Sequence, residues 1–399
     1  MKRCKHTLRI GLAAFVCVAP VWMAVPALAQ CNWSVLGSGM EGNSAPHVAA
    51  LSVFDDGLGP ALYAGGLFTF AGGVPANQIA KWDGKQWSAL GSGLGGVAPN
   101  VDALTVFDDG TGPALYVGGD FTLAGDVPAS RIAKWDGNQW SALGSGMNAG
   151  AVDALTVFDD GTGPALYAGG LFMFAGGVLA NGIARWDGAQ WSALGSGMGG
   201  GARPYVAALT VFDDGMGTAL HAGGLFTLAG GVPASRIAKW DGTQWSALGG
   251  GVNNVVFALT VFDDGTGPAL YVGGDFTLAG DVPASRIAKW DGTQWSALGS
   301  GIEGGRGPYV AALTVFDDGT GPALYAGGDF TVAGGVPASR IAKWDGTQWS
   351  ALGSGMNDIV FALTVFDDGT GPALYAAGDF TAAGDVSASR IARWACALP

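Results

Sequence analysis

A chain of 399 residues with 71 glycines, 13% charged residues and a formal charge of −13 differs from an average soluble domain, where roughly 25% of residues are charged and about 7% are glycine. So acidic a balance excludes nucleic acid as a partner, because neutralising a phosphate backbone takes clustered Lys and Arg. Val, Ile, Leu, Phe and Trp recur at fixed offsets, which excludes a Gly-rich disordered linker and makes glycine the punctuation of packed β structure.

Residues 1–29 have the form of a secretory signal peptide. Lys2, Arg3, Lys5 and Arg9 precede an apolar stretch from Ile10 to Val25, and Ala27-Leu28-Ala29 supplies a small-x-small cleavage signal. Pro20 and Trp22 interrupt a stretch already short for a membrane span. Gln30 before Cys31 is too large for the usual lipoprotein cleavage pattern. The expected mature chain, 30–399, is therefore exported (periplasmic, cell-surface or secreted), without a membrane span, and monomeric. Losing the four basic residues of the leader takes the net charge from −13 to −17.

After the leader comes Cys31-Asn32-Trp33-Ser34-Val35-Leu36-Gly37, the tail of a repeat whose front is missing. The marker Val-Phe-Asp-Asp-Gly then begins at Val53, Val106, Val157, Val211, Val261, Val315 and Val365, with spacings of 50 to 54 residues. That period belongs to propellers. Each unit carries two tryptophans. One set runs from Trp82 to Trp394; the other runs from Trp87 to Trp349 and is completed by Trp33. Seven units need fourteen tryptophans, and fourteen follow the leader.

In the second unit, strand A is expected at Val101–Phe107, and Asp108-Asp109-Gly110-Thr111-Gly112-Pro113 forms a turn. Strand B follows at Ala114–Thr122, with Gly118-Gly119 allowing close backbone approach. A loop over Leu123–Ser130 leads to strand C at Arg131–Trp135. Asp136-Gly137 makes a tight hairpin into strand D at Gln139–Leu143. No segment sustains a helical period free of Gly or Pro. The chain ends on Ile391-Ala392-Arg393-Trp394-Ala395-Cys396, the front of a repeat whose tail is missing. The expected fold is all-β: a seven-bladed β-propeller of four-stranded blades, closed by pairing 31–38 with 359–396.

The order Gly118-Gly119, Trp135-Asp136, Trp140 resembles kelch-type propellers, with Trp where kelch units usually have Tyr. Gly-Gly-x-Phe-Thr followed by Ile-Ala-x-Trp-Asp-Gly is also similar to the repeats of cortical polarity markers and other surface propellers. The resemblance spans 31–396. It implies the fold and leaves activity open, because such folds host many functions. The copper ligands of galactose oxidases, which share the broad fold, have no counterpart here.

Aligning Trp394 and Trp33 with Trp240 and Trp245 puts Cys396 at the place of Gly242 and Cys31 at that of Thr243. These adjacent hairpin positions predict a disulfide in an oxidising compartment; free or metal-binding thiols are the rival. The Asp-Asp-Gly turns offer Ca2+ some oxygens, but adjacent Asp side chains point opposite ways and one turn supplies too few ligands. A structural turn with a solvated acidic rim is expected instead, with no cofactor and no metal. The tryptophans read as packing between blades rather than as sugar platforms.

The A–B and C–D turns share one nearly invariant face, and the obvious length variation sits in the D–A loops, which share the other face with the B–C loops. The position before the Ala-Leu pair of strand A breaks the repeat: Ala49, Asp102, Asp153, Ala207, Phe257, Ala311 and Phe361. With Arg203, Tyr205, Arg306 and Tyr309 from neighbouring loops, Asp102, Asp153, Phe257 and Phe361 form the candidate binding set at one mouth of a central channel. Only His47 and His221 follow the leader, in different units, and no catalytic set assembles. The expected function is a binding or scaffolding module contacting a protein or glycan. A hydrolase or lyase at the channel mouth and a structural or adhesive surface protein are the alternatives.

Overall fold

The computed structural model describes residues 31–42 and 45–396; the proposed signal peptide lies outside the described residues. The described chain is all-β, with no α-helix. Seven four-stranded antiparallel sheets repeat along it, each ordered A-B-C-D. In the second unit the strands are Asn100–Asp108, Pro113–Asp120, Ile132–Trp135 and Trp140–Ala142. Strands A and D are trimmed or extended by a residue or two from expectation, as fraying ends commonly are.

The seventh sheet is assembled from both ends of the chain. Val360–Asp367, Pro372–Gly378 and Ile391–Cys396 supply its first three strands, and Cys31–Val35 supplies the fourth. Trp33 pairs with Trp394 and Cys31 with Cys396, and the two cysteines form a disulfide. Each strand A packs beside the next, and Val360–Asp367 of the last sheet packs beside His47–Asp55 of the first.

Hydrophobic burial holds the sheets to one another. Each strand-D tryptophan donates its indole N–H to a leucine carbonyl of the preceding sheet, as Trp140 does to Leu90 at 3.1 Å. The series passes through the N-terminal strand: Trp33 donates to Leu352, and Leu36 accepts from Trp87. The two rings of each unit lie tilted, about 5 Å apart (Trp135 and Trp140 at 5.1 Å), and both are almost wholly buried. Burial of this kind contributes about 1.5–3 kcal/mol per large side chain.

Two features of the backbone escape the sequence pattern. The stretch read as a loop, 123–130, contains a miniature hairpin, Leu123–Ala124 with Val127–Pro128. The preceding D–A loop adds Leu94–Gly95 as a third strand. In units with shorter loops an asparagine does that work: Asn253 Oδ1 accepts from Thr277 and Leu278 N–H groups, and Asn357 binds its own unit likewise.

The second feature is a β-bulge in every strand A, between Val101 and Ala103 in the second unit. The second position of the Gly-Gly pair, glycine in all seven units, permits it. A Cβ at Gly119 would lie 2.1 Å from the Asn100 carbonyl oxygen, and one at Gly118 would lie 2.6 Å from Val152 of the next sheet. Gly119→Ala is therefore expected to destabilise by about 1–3 kcal/mol, because the obstruction is backbone; chemical denaturation reads the change. A variant as stable as the parent would mean the bulge can shift.

Candidate functional site

The bulge sets the site. Its extra residue has no ladder partner and is re-aimed out of the sheet. In the seven strands that residue is Ala49, Asp102, Asp153, Ala207, Phe257, Ala311 or Phe361. These are the same positions at which the sequence breaks its repeat. All seven line a void of about 290 Å³ ringed by strand A of every sheet.

A second void of about 450 Å³ shares six of them and has unlike walls. It joins Asp102 to an aromatic set, Phe257, Phe361, Tyr309 and His47, with Phe257 and Tyr309 edge-to-face at 5.6 Å and His47 and Phe361 at 5.9 Å. Alanines 49, 207 and 311 leave the middle open. Tyr205 opens strand A of the fourth unit, half-buried, and feels the Asp153 charge.

Electrostatics separate this place from the rest of the molecule. Burial first, and then the charges of Asp153 and Asp120, push the Asp102 carboxyl up to about 7. Burial pushes Asp153 up to about 6. Asn100 donates to Asp102 at 2.5 Å. Burial also raises Asp379, which His47 partly counteracts, and drives the Tyr309 phenol up to about 12. Asp120 and Asp379 were missed from sequence. Both directly follow the last glycine of strand B, a position that is either Leu or Asp among the units.

Arg203 and Arg306, by contrast, stay exposed in their loops and do not line either void. The candidate set thus divides into residues that line the voids (Asp102, Asp153, Phe257, Tyr309, Phe361), Tyr205, which lines neither but feels Asp153, and two peripheral arginines.

The opposite face differs from the expected solvated acidic rim. The first Asp of each turn is exposed and caps it: Asp108 Oδ1 accepts from Gly110 and Gly112 N–H groups. The second is nearly buried. Asp109 accepts from Lys134 at 2.8 Å and from Tyr116 at 2.8 Å, and its side chain is 10% exposed. Burial raises its carboxyl, but the bonds from Lys134, Thr111 and Tyr116 outweigh that and hold it at about 2. Lysine or arginine partners the equivalent acid in every unit. The physical reason is the ladder: strand B brings the Tyr, and strand C the basic residue, under the turn. Among the described residues no group of three or more His, Cys, Asp or Glu could hold a metal ion.

His221 replaces that tyrosine in the fourth unit. It is wholly buried, its Nε2 lacks a partner, and burial holds it down at about 4. Because the folded value lies below the unfolded one of about 6.5, its stabilising share is intact above pH 6.5 and falls as pH drops towards 4. His221→Tyr is expected to regain a bond to Asp214 and stabilise by about 1–3 kcal/mol, with less loss on acidification. Thermal unfolding from pH 7 to pH 4 checks both; an unchanged acid slope would contradict the assignment.

At the seam, the cut hairpin leaves a cleft of about 380 Å³ bounded by Asp317, Asp318, Arg393 and Cys396. Elsewhere a C–D turn rests on the preceding A–B turn, as Gly137 does on Asp56. The cleft is a consequence of the split repeat.

No protein-family model matches the chain, and no curated protein does. Solved structures do resemble it. An extracellular domain attributed to a hybrid two-component system of B. thetaiotaomicron aligns at TM-score 0.57 and 12% identity, over 93% of this chain and 40% of that one. This chain therefore spans less than half the length of that relative. BBS1N, crystallised in complex with ARL6DN, aligns at TM-score 0.49 and 12% identity, over 93% and 96% of the two chains. Among the described residues no helix is long and apolar enough to cross a membrane. At 12% identity the first likeness speaks for the fold alone, an all-β assembly of repeated four-stranded sheets of the kind from which propellers are built.

Proposed function

We propose that the chain is an exported, closed seven-bladed propeller of kelch-like repeats. It acts as a binding or scaffolding module that contacts a protein or glycan through the D–A loop face and the channel mouth. One observation carries this reading: the repeat breaks where the bulged residues converge on a shared void, so chemical individuality is concentrated at one concave place. Support for closure comes from the packing of the last strand A on the first and from the indole bonds running through Trp33 and Leu36. Support for export comes from the leader and from a disulfide, which persists in oxidising compartments. The extracellular placement of the B. thetaiotaomicron domain agrees with it.

A second reading, a hydrolase or lyase, is favoured by the raised carboxyls of Asp102 and Asp153, since an acid poised near neutrality can exchange protons. The test is a glycan and protein array probed with residues 30–399 and with a variant whose loop 301–309 is replaced by 250–254. A bound partner lost on the swap is the expected result. A silent array, or a partner indifferent to the swap, contradicts the proposal, and turnover of a bound glycan would favour the second reading.

A further inference from the structure

Two sets of half-buried carboxylates in this molecule have opposite surroundings. Those under the A–B turns each have a Lys or Arg partner within 3.2 Å. Asp102 and Asp153 have no such partner among the described residues, although burial disfavours the charge of both and the Asp153 charge adds to this at Asp102. A carboxylate kept in a desolvated place without a cation is costly unless something supplies the charge.

The void that Asp102 lines also holds an aromatic set, Phe257 edge-on to Tyr309 together with Phe361. Ring faces attract cations electrostatically, most strongly when water is excluded. Other occupants fit less well. An anion would meet Asp102, Asp153 and Asp379. A neutral sugar would stack on the rings and leave the acids uncompensated. A bare metal ion would gain nothing from phenyl groups.

We propose that the mouth takes an organic cation, an alkylammonium or guanidinium on a short carbon stem, with its charge at Asp102 and its stem against Phe257, Tyr309 and Phe361. This rests on the reading of the mouth as the binding site. The same chemistry comes from a lysine or arginine side chain of a partner protein or from a free di- or polyamine.

Titration calorimetry on residues 30–399 at pH 8 and low salt distinguishes these sources. The probes are N-acetyl-lysine N-methylamide, cadaverine and the neutral isostere N-acetyl-norleucine N-methylamide. The expected result is binding of at least one cation, with the norleucine compound about tenfold weaker or worse. Asp102→Asn and Phe361→Ala should each weaken the cation about tenfold, with near-ultraviolet circular dichroism showing both variants folded. If a variant misfolds, the norleucine comparison on the parent chain still decides. A preference for the lysine compound or for cadaverine upholds the proposal and names the source. Equal affinity for the norleucine compound, no binding of either cation, or folded variants with unchanged affinity would overturn it. An array partner lost on the loop swap, together with no cation binding, would sink this inference and leave the proposed module standing. Cation binding beside a silent array would do the reverse.

Discussion

Removing residues 31–38 is expected to abolish cooperative unfolding of the chain. The deletion strips the outer strand from the seventh sheet, taking with it Trp33 and Leu36, which are 7% and 2% exposed. It also removes the carbonyl that accepts the Trp87 indole N–H, so the first sheet loses a contact as well. Truncating one buried tryptophan costs about 3–5 kcal/mol, and whole domains are stable by only about 5–15 kcal/mol. A broad transition or an insoluble product is therefore the expected outcome. Replacing Cys31 and Cys396 by Ser should be milder, at about 3–5 kcal/mol in the chain-entropy view of a loop spanning 365 residues, with strand content preserved. Differential scanning calorimetry on both variants separates the strand from the bridge. A deletion variant as stable as the parent would show that the seam does not hold the assembly.

Asp102→Asn should raise stability at pH 8 by about 2–4 kcal/mol and change little at pH 4. The folded-state value of Asp102, about 7, lies above the unfolded value near 3.8. The native chain thus holds a proton that the unfolded chain has released between those two values. Its stabilising share is complete below about pH 4 and lost as pH rises through 7. Asparagine keeps an acceptor for the Asn100 amide and carries no charge. The charges of Asp153 and Asp120 act on the same group, so the parent curve should be broad. Urea unfolding of parent and variant at several pH values measures the difference. Parallel curves would mean that Asp102 is solvated in the folded chain. A stabilising substitution at a bulge that faces a void is also what a ligand-recognition position predicts, since such sites keep costly groups for function.

Much of the architecture was readable because its markers are rigid. Trp135 and Trp140 lie five residues apart and pair across the short turn 136–139 that holds Asp136-Gly137, and the same spacing recurs in the six units that are continuous in sequence. Cys31 and Cys396 could be set opposite one another by counting from those tryptophans. The bulge could not be read, because Val-Asp-Ala-Leu looks the same with or without an extra residue in the ladder. Its trace was Gly118-Gly119 on the partner strand, whose tightness is visible only in three dimensions.

The acidic turns misled for a related reason. In one dimension Asp108 and Asp109 are equivalent, and the 25 residues between Asp109 and Lys134 hide the ion pair that buries the second of them. The short hairpin at Leu123–Ala124 was hidden by its length of two residues, below any periodic signal. At the mouth, the odd residues of strand A could be picked out from the repeat they break. Which of them share a void with Asp379 depends on the order of sheets around the centre, which no local pattern carries.

Hydrogen exchange on residues 30–399, free and bound to the array-selected partner, tests the central claim most directly. Protection confined to the starts of strands A and the loops before them, around Asp102, Tyr309 and Phe361, is the predicted result. Protection centred on the Asp-Asp-Gly turns would place recognition on the invariant face and contradict the account.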